Sequence, residues 1–458
     1  MEARSLKFVA RACDAEIKSG APEAEIKNVC TDSRAAKAGD VFFAIKGEKF
    51  DGHDFIAEVA AKGVAAVVVE KIPAKQPNCA VLLVNDVRLA LGKLAAAYRQ
   101  EFSLPVIAVG GSNGKTTTKE LLASVLRQKL VTLWSEASFN NDIGVPMTLL
   151  RLDKAHQAAV LEVGTNHPGE LAPLVKMIAP KLGIITSIGR EHLEFFGDVA
   201  GVAKEEGVLA ELLPADGILF VNGDCEWSEK IAKRTKARVV RIGTGEKSDW
   251  RAKKIRLDKS GVTFQVENAK KEFCGECRIN LLGRHQVTNA LLAMAAGAEL
   301  GLTRDEICDG LAACQPQKMR MQFWEVNGVR VLEDCYNANA DSMRAALETL
   351  CGLPLQGRRV AILGDMAELG AQTEAAHVEI GKFAAELKIG QLFTVGKNSA
   401  ATAKAARDAG LLRVIEFVDV EAAMKALKNF LKPGDVVLLK ASRSSRLERI
   451  AEILKSEK

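Results

Sequence analysis

Lys115 and Thr116 close a glycine-rich run, Gly110-Gly111-Ser112-Asn113-Gly114-Lys115-Thr116-Thr117-Thr118, that follows the apolar stretch Val106-Ile107-Ala108-Val109. A helical pattern begins at Lys119. A strand, a tight turn and a helix start make an anion cradle. Backbone N–H groups and the positive end of the helix face the ligand, a lysine adds a mobile cation, and a threonine hydroxyl can reach Mg²⁺. Gly111, Ser112, Asn113, Gly114, Lys115, Thr116 and Thr117 are therefore candidates to bind a nucleoside triphosphate. The spacing departs from G-x-x-x-x-G-K-[ST], because Val109 stands where the first glycine would be.

Glu162 closes another apolar run in Val160-Leu161-Glu162-Val163-Gly164-Thr165-Asn166. A carboxylate there is costly to bury unless it is paired or metal-bound, and beside a phosphate loop Mg²⁺ is the natural partner. His192 lies past a third run, Leu182–Ser187, in Ile188-Gly189-Arg190-Glu191-His192. Lone histidines commonly satisfy only a local hydrogen bond. Its position beyond a strand end, on the rim expected for Lys115 and Glu162, points instead to a metal or a phosphate.

These side chains need elements to hold them. Residues 1–85 carry short strand-like runs, Val41–Ile45, Ala65–Val69 and Ala80–Val84, with a helical stretch from Phe55 to Lys62 closed by Gly63. That pattern predicts a small α/β domain. Residues 86–316 alternate strands (Val106–Val109, Ala158–Val163, Leu182–Ser187, Ile218–Val221) with helices, predicting a mostly parallel, doubly wound sheet with an antiparallel patch near 250–282. In residues 317–458 the alternation restarts at Val329–Leu332, Val360–Leu363, Leu392–Val395 and Val436–Leu439, which predicts a second doubly wound domain.

At 458 residues the chain is too long for one core. With 48% hydrophobic and 26% charged residues it has the composition of a soluble globular protein. A formal charge of +5 suits anionic small substrates and is too weak to argue for nucleic acid. Lys440, Arg443, Arg446 and Arg449, three residues apart on what reads as a terminal helix, are expected to be surface decoration, Lys440 excepted. The start of the chain leads into no long apolar segment, and no run of about 18 apolar residues occurs, so neither a secretory signal nor membrane insertion is expected. Ten irregularly spaced cysteines then favour reduced thiols and a cytoplasmic protein. Cys274-Gly275-Glu276-Cys277 reads as a local hairpin with two half-buried thiols, not as a zinc or redox site.

The phosphate loop, with its shortened spacing, resembles that of the Mur ligases, and the likeness continues through the chain. Thr31-Asp32-Ser33-Arg34, Gly39–Gly47 and Asp51-Gly52-His53 resemble the family's N-terminal UDP-substrate domain. Asn140–Pro146, Glu162–Asn166 and Gly283–Leu291 resemble the central ATPase domain. Asp334-Cys335-Tyr336-Asn337-Ala338-Asn339, Gly364–Gly370 and Lys440-Ala441-Ser442-Arg443 resemble the C-terminal domain. They are closest to the family member that adds D-alanyl-D-alanine to UDP-N-acetylmuramoyl-tripeptide. The Asp-Asn-Pro-Arg of third-position single-amino-acid ligases is absent, as is the guanine-reading Asn-Lys-x-Asp of GTPase switches. A non-catalytic ATP-binding regulator would not need Lys115, Glu162 and His192.

The resemblance implies three α/β domains: a small UDP-substrate domain, a doubly wound phosphate-loop ATPase domain and a Rossmann-like domain. It implies ATP and Mg²⁺ as cofactors and UDP-N-acetylmuramoyl-tripeptide and D-alanyl-D-alanine as partners; a monomer is expected, though no residue pattern speaks to oligomeric state. Lys115 and Thr116 would bind the β/γ-phosphates and the first Mg²⁺ with Glu162, and His192 would hold a second. Asn289 would contact adenine, Arg320 the nucleotide and Asp334 the ribose. Ser33, Lys46 and His53 would lie near UDP. Asn140, Asn141, Thr165 and Asn166 would face the peptide-bearing sugar nucleotide. Tyr336, Asn337, Asn339, Asp365, Lys440 and Ser442 would receive the dipeptide or close over the nucleotide.

Several positions depart from the family. Gln286 stands for its usual asparagine, Ala340 for proline and Ala441 for glycine. A lysine usually found fourteen residues beyond the histidine, carbamylated by CO₂, is here Glu206. Glutamate is the same kind of hard-oxygen group on a shorter arm, so Glu206 is expected to supply that carboxylate permanently. Lys204 would lie about 200° away around a helix, off the required face.

Overall fold

The computed structural model describes residues 1–456, so the expected C-terminal segment 317–458 runs two residues past the described chain. Two compact units emerge. One comprises Met1–Ala108, Leu130–Thr165 and Glu170–Lys181, and the other Val109–Lys129, Asn166–Gly169 and the residues from Leu182 on.

In the first unit, five strands order as Glu16–Ser19, Ala80–Leu83, Ala66–Val69, Asp40–Phe43 and Asn28–Cys30. All neighbours are parallel except the first pair. Alternate residues of a strand share a face, so Phe42, Val67, Val69 and Val81 meet Ile56 and Val59 of the covering helix. The expected helix from Phe55 divides into a 3₁₀ turn, Gly52–Phe55, and a helix, Ile56–Ala61. Asp51 caps the turn by accepting the His53 N–H at 2.9 Å. The strand Ala158–Glu162 pairs in parallel with Thr132–Trp134.

In the second unit, Leu182–Ile185, Ile218–Asn222, Arg238–Gly243 and Trp250–Asp258 pair in parallel succession. Gly261–Asn268 and Gly275–Ile279 then extend the sheet antiparallel, as the 250–282 patch predicts. A six-stranded sheet follows, in the order Gln322–Val326, Val329–Asp334, Val436–Lys440, Arg359–Gly364, Gln391–Val395 and Val414–Phe417. Its strands are parallel except for the antiparallel pair Gln322–Val326 and Val329–Asp334. The hairpin strand Gln322–Val326 and the edge strand Val414–Phe417 escape the sequence pattern because both are only partly buried and mix polar with apolar residues.

Two expectations are corrected here. Lys440, Arg443, Arg446 and Arg449 do not share a helix. Lys440 ends a strand and is 2% exposed, Arg443 opens a 3₁₀ turn, and Arg446 is left-handed at φ 53°. Only Arg449 lies in the helix Glu448–Ser456. Nor is Cys277 a free thiol: it is bonded to Cys308, with Cα atoms 6.1 Å apart. The antiparallel strand Gly275–Ile279 turns Cys277 inward onto the helix Arg304–Ala313, while Cys274 stays free. No helix among the described residues is long and apolar enough to cross a membrane.

Candidate active site

The strand Val106–Gly110 runs into the glycine-rich loop, and the helix Lys115–Leu126 leaves it. Gly111 and Gly114 have φ of 108° and 91°, a region that L side chains rarely adopt. A Cβ at Gly114 would lie 2.5 Å from Asn289 Oδ1, so the loop approaches the helix Gln286–Glu299 closely only because glycine is there. Ser112 N–H donates to the Ser187 carbonyl at 2.7 Å, Asn113 N–H to Ser187 Oγ at 3.1 Å and Gly189 N–H to Ser112 Oγ at 2.9 Å. The loop is thereby laced to the segment that carries His192. No side chain caps the helix, which leaves its first turn suited to an anion. Thr116 is buried in that turn.

Lys115 folds back over the loop. Its Nζ donates to the carbonyls of Gly111 at 2.5 Å and Ser112 at 3.3 Å, and to Glu191 Oε2 at 3.2 Å. Glu206 ends the helix Val199–Glu206 fully buried, and its Oε2 accepts the Gly111 N–H at 2.6 Å. Burial pushes its carboxyl up to about 7, Lys115 pulls it down and Glu191 pushes it up further. Lys204, on the same helix, is exposed. His192 is left-handed at φ 48°, and its Nδ1 lies 2.5 Å from Glu368 Oε2.

Glu191, Arg190 and Glu368 were not among the sequence candidates. The only signal was three charged residues in succession, Arg190-Glu191-His192, after an apolar strand. Arg190 Nε and Nη2 donate to Asp341 Oδ1 at 3.0 and 2.6 Å, and its Nη1 donates to Glu379 Oε2 at 2.5 Å.

In the second sheet the candidates gather at the carboxyl ends of three neighbouring strands, where open α/β sheets take ligands. Lys440 Nζ donates to Asp334 Oδ2 at 2.6 Å and to the Asn337 carbonyl at 3.1 Å. Ser442 Oγ accepts the Ala367 N–H at 2.9 Å and donates to the Ala338 carbonyl at 3.2 Å. Asp365 Oδ1 accepts both the N–H and the Oγ–H of Ser399 at 2.7 Å. Arg320 stacks 4.1 Å above the Tyr336 ring. Asn339 Nδ2 donates to Asn113 Oδ1 at 3.1 Å, and Asn289 Nδ2 donates to Gln286 Oε1 at 2.8 Å.

In the first unit Glu162 is 1% exposed, and its Oε1 accepts from Asn140 Nδ2 at 2.9 Å. Asn141 spends its side chain on a local turn, accepting from the N–H groups of Ile143 and Gly144. Thr165 Oγ1 lies 3.4 Å from Glu170 Oε2, whereas Asn166 belongs to the second unit. Ser33 opens a 3₁₀ turn whose carbonyl accepts from Lys62 Nζ. His53 Nε2 accepts the Glu70 N–H at 3.0 Å, so its Nδ1–H donates to Asp51, 2.7 Å away. Lys46 and His53 line a cavity of about 590 Å³ together with Lys71, Ile72 and Pro73.

Among the described residues four buried carboxylate oxygens lack a hydrogen-bond partner: Glu448 Oε2, in the last helix, and Glu162 Oε2, Glu191 Oε1 and Glu206 Oε1. Such oxygens are hard donors suited to Mg²⁺. No group of three His, Cys, Asp or Glu side chains among the described residues could hold a metal by itself.

Comparison with known proteins decides the family. Residues 25–99 match the Mur ligase family catalytic domain, 109–297 the Mur ligase middle domain and 319–443 the Mur ligase glutamate ligase domain. The chain belongs to the Mur ligase family. It is 38% identical to the UDP-N-acetylmuramoyl-tripeptide--D-alanyl-D-alanine ligase of Escherichia coli, over 93% of each chain. It is 34% identical to the Bacillus subtilis enzyme of that name, over 94% of this chain and 93% of that one. MurF from Acinetobacter baumannii superposes with a TM-score of 0.92 at 34% identity, covering 100% of this chain and 99% of the other. MurF of Thermotoga maritima in complex with ADP gives 0.83 at 27% identity, covering 94% and 97%. The three expected α/β domains are thus those of a Mur ligase, with the phosphate loop, Asn289 and Glu206 in the middle one and Asp334, Asp365 and Lys440 in the last.

Proposed function

We propose that this Mur ligase uses ATP to join D-alanyl-D-alanine to UDP-N-acetylmuramoyl-tripeptide, forming the UDP-muramoyl-pentapeptide of peptidoglycan synthesis with release of ADP and phosphate. The observation that carries the reading is the phosphate loop laced to Ser187 and Gly189, just ahead of Arg190-Glu191-His192, in a chain matched almost end to end by enzymes of that name. Residues 1–85, 86–316 and 317–458 would serve the UDP substrate, ATP and the dipeptide respectively.

A carboxylate carries no adequate leaving group. Phosphorylation by ATP makes it an acyl phosphate, the dipeptide amine attacks the carbonyl carbon, and phosphate departs from the tetrahedral intermediate. Phosphoryl transfer asks the protein mainly to position groups and neutralise charge. Lys115 would swing from the loop carbonyls to the β/γ-phosphates, while the loop N–H groups and the helix start orient them. Thr116, Glu162 and His192 would hold Mg²⁺, which supplies charge neutralisation when bound, and Glu206 would hold the loop through Gly111 and face the ion. Asn289, Arg320 and Asp334 would seat the nucleoside. Ser33, Lys46 and His53 would seat UDP, and Asn140, Asn141, Thr165 and Asn166 the peptide-bearing sugar. Tyr336, Asn337, Asn339, Asp365, Lys440 and Ser442 would take the dipeptide or close over the nucleotide. The carrying out of this chemistry by a monomer in the cytoplasm is part of the same proposal.

The test is purified protein with Mg²⁺, ATP, UDP-muramoyl-tripeptide and D-alanyl-D-alanine, assayed for phosphate release and, by mass spectrometry, for the pentapeptide. Absence of that product, with either substrate in excess, overturns the assignment.

A further inference from the structure

Glu191 is a buried carboxylate to which the proposed chemistry gives no task. Its side chain is 8% exposed, its Oε2 faces Lys115 Nζ at 3.2 Å, and its Oε1 has no hydrogen-bond partner. A carboxylate so placed is costly unless a cation holds it. The cation here is the one that a triphosphate must recruit. Glu206, buried on the other side of Gly111, adds a second carboxylate within electrostatic reach of both groups.

Glu191 cannot easily withdraw. The Arg190 backbone N–H donates to Asp341 Oδ2 at 2.9 Å, and the Arg190 guanidinium is gripped by Asp341 and Glu379. On the other flank His192 is tied to Glu368, whose carbonyl also accepts the Glu194 N–H at 3.0 Å. A Cβ at Gly189 would lie 2.5 Å from Asp341 Oδ2, so a larger residue there would push on the carboxylate that grips Arg190. Both neighbours of Glu191 are thus fastened, Arg190 to the helices Ala340–Gly352 and Thr373–Glu386 and His192 to the loop at Glu368, and Glu191 faces Lys115.

We propose that Glu191 is an internal counter-ion of the phosphate-loop lysine, standing where a phosphate oxygen would, and that incoming nucleotide must displace it. Glu191 is on this view a positioning residue that weakens nucleotide binding and holds Lys115 in place between turnovers. The inference rests on reading the loop as the nucleotide site. It is a competition between two anions for one ammonium, so removing the internal anion tightens binding of the external one.

The experiment is calorimetric titration with ATP in EDTA, which takes divalent ions out of the comparison. Glu191→Gln and Glu191→Ala should each bind about tenfold more tightly than the wild-type protein, a gain of about 1.4 kcal/mol. Glu191→Asp keeps the charge and should stay within about threefold of wild type. A residue that merely props the loop would give weaker or equal binding when altered, and either result overturns the proposal. Wild-type protein that binds ATP neither in EDTA nor with Mg²⁺ overturns the nucleotide reading itself, a separable failure, and equal or weaker binding by the variants in whichever condition the wild type binds overturns the proposal. Hydrogen exchange on the wild-type chain gives an independent decision should the variants misfold. Displacement of Glu191 should raise exchange across residues 188–192 when ATP binds, and added protection there would overturn the proposal.

Discussion

Asp334 and Lys440 stand opposite one another on neighbouring parallel strands, and the ammonium donates to the carboxylate at 2.6 Å. The lysine side chain is 2% exposed and the aspartate 17%, so water screens the pair little. The pair fastens the carboxyl edge of the second sheet at the point where Asn337 and Ser442 also converge.

Lys440→Met should therefore destabilise the protein by about 2 kcal/mol or more, because Asp334 is left as a half-buried charge without its cation. The double variant with Asp334→Asn should recover part of that loss. Urea denaturation checks both. A single-variant loss below about 1 kcal/mol would show that the pair behaves as a solvated surface bridge.

Glu206 makes the protein's stability depend on pH in a definite direction. Its folded pKa, about 7, lies above the ordinary 4.5, so the folded state holds the proton more tightly than the unfolded one. That contribution is complete below 4.5 and is lost as pH rises through about 7. Thermal melting of nucleotide-free protein should fall over this window, and Glu206→Gln should flatten the fall. An identical slope in the variant would assign the dependence to other groups.

The same residue makes a prediction about CO₂. A carboxylate built into the chain needs no carbamylation, so ligase activity should be unchanged when CO₂ and bicarbonate are stripped from the assay. Glu206→Ala should lose activity about a hundredfold or more. Glu206→Lys should regain part of it only with added bicarbonate. Strong bicarbonate dependence of the wild-type enzyme would remove Glu206 from this role.

The bond between Cys277 and Cys308 closes a loop of 31 residues between the antiparallel extension and the helix Arg304–Ala313. Reduction should cost about 3 to 4 kcal/mol by the chain-entropy estimate. That helix packs on the phosphate-loop helix, where Ser124 Oγ donates to the Gly310 carbonyl at 2.6 Å. Alkylation under denaturing, non-reducing conditions should modify eight cysteines, and reduction should expose the other two. Ten modified cysteines before reduction would refute the bond.

The phosphate loop, the strands around it and the carboxylate Glu162 could be read from the sequence because each depends on neighbours within a few residues. Apolar runs set the strands, and glycines with a lysine and threonine set the loop. Glu191 was not legible. Its inward direction is set by Arg190, whose partners Asp341 and Glu379 lie 151 and 189 residues further on. The cysteine pair was hidden for the same reason, since only strand register turns Cys277 toward Cys308. The basic residues after Lys440 misled because regular spacing suggested one helix, whereas a strand end and a 3₁₀ turn interrupt it.

Val436–Lys440 is the last strand of the described chain to be synthesised, yet it lies between Val329–Asp334 and Arg359–Gly364. On the ribosome this part of the nascent polypeptide therefore carries two half-sheets with open edges until Val436–Lys440 has emerged. The sheet cannot close before Val436–Lys440 is available, and a chain cut before Val436 would carry unpaired strands prone to aggregate.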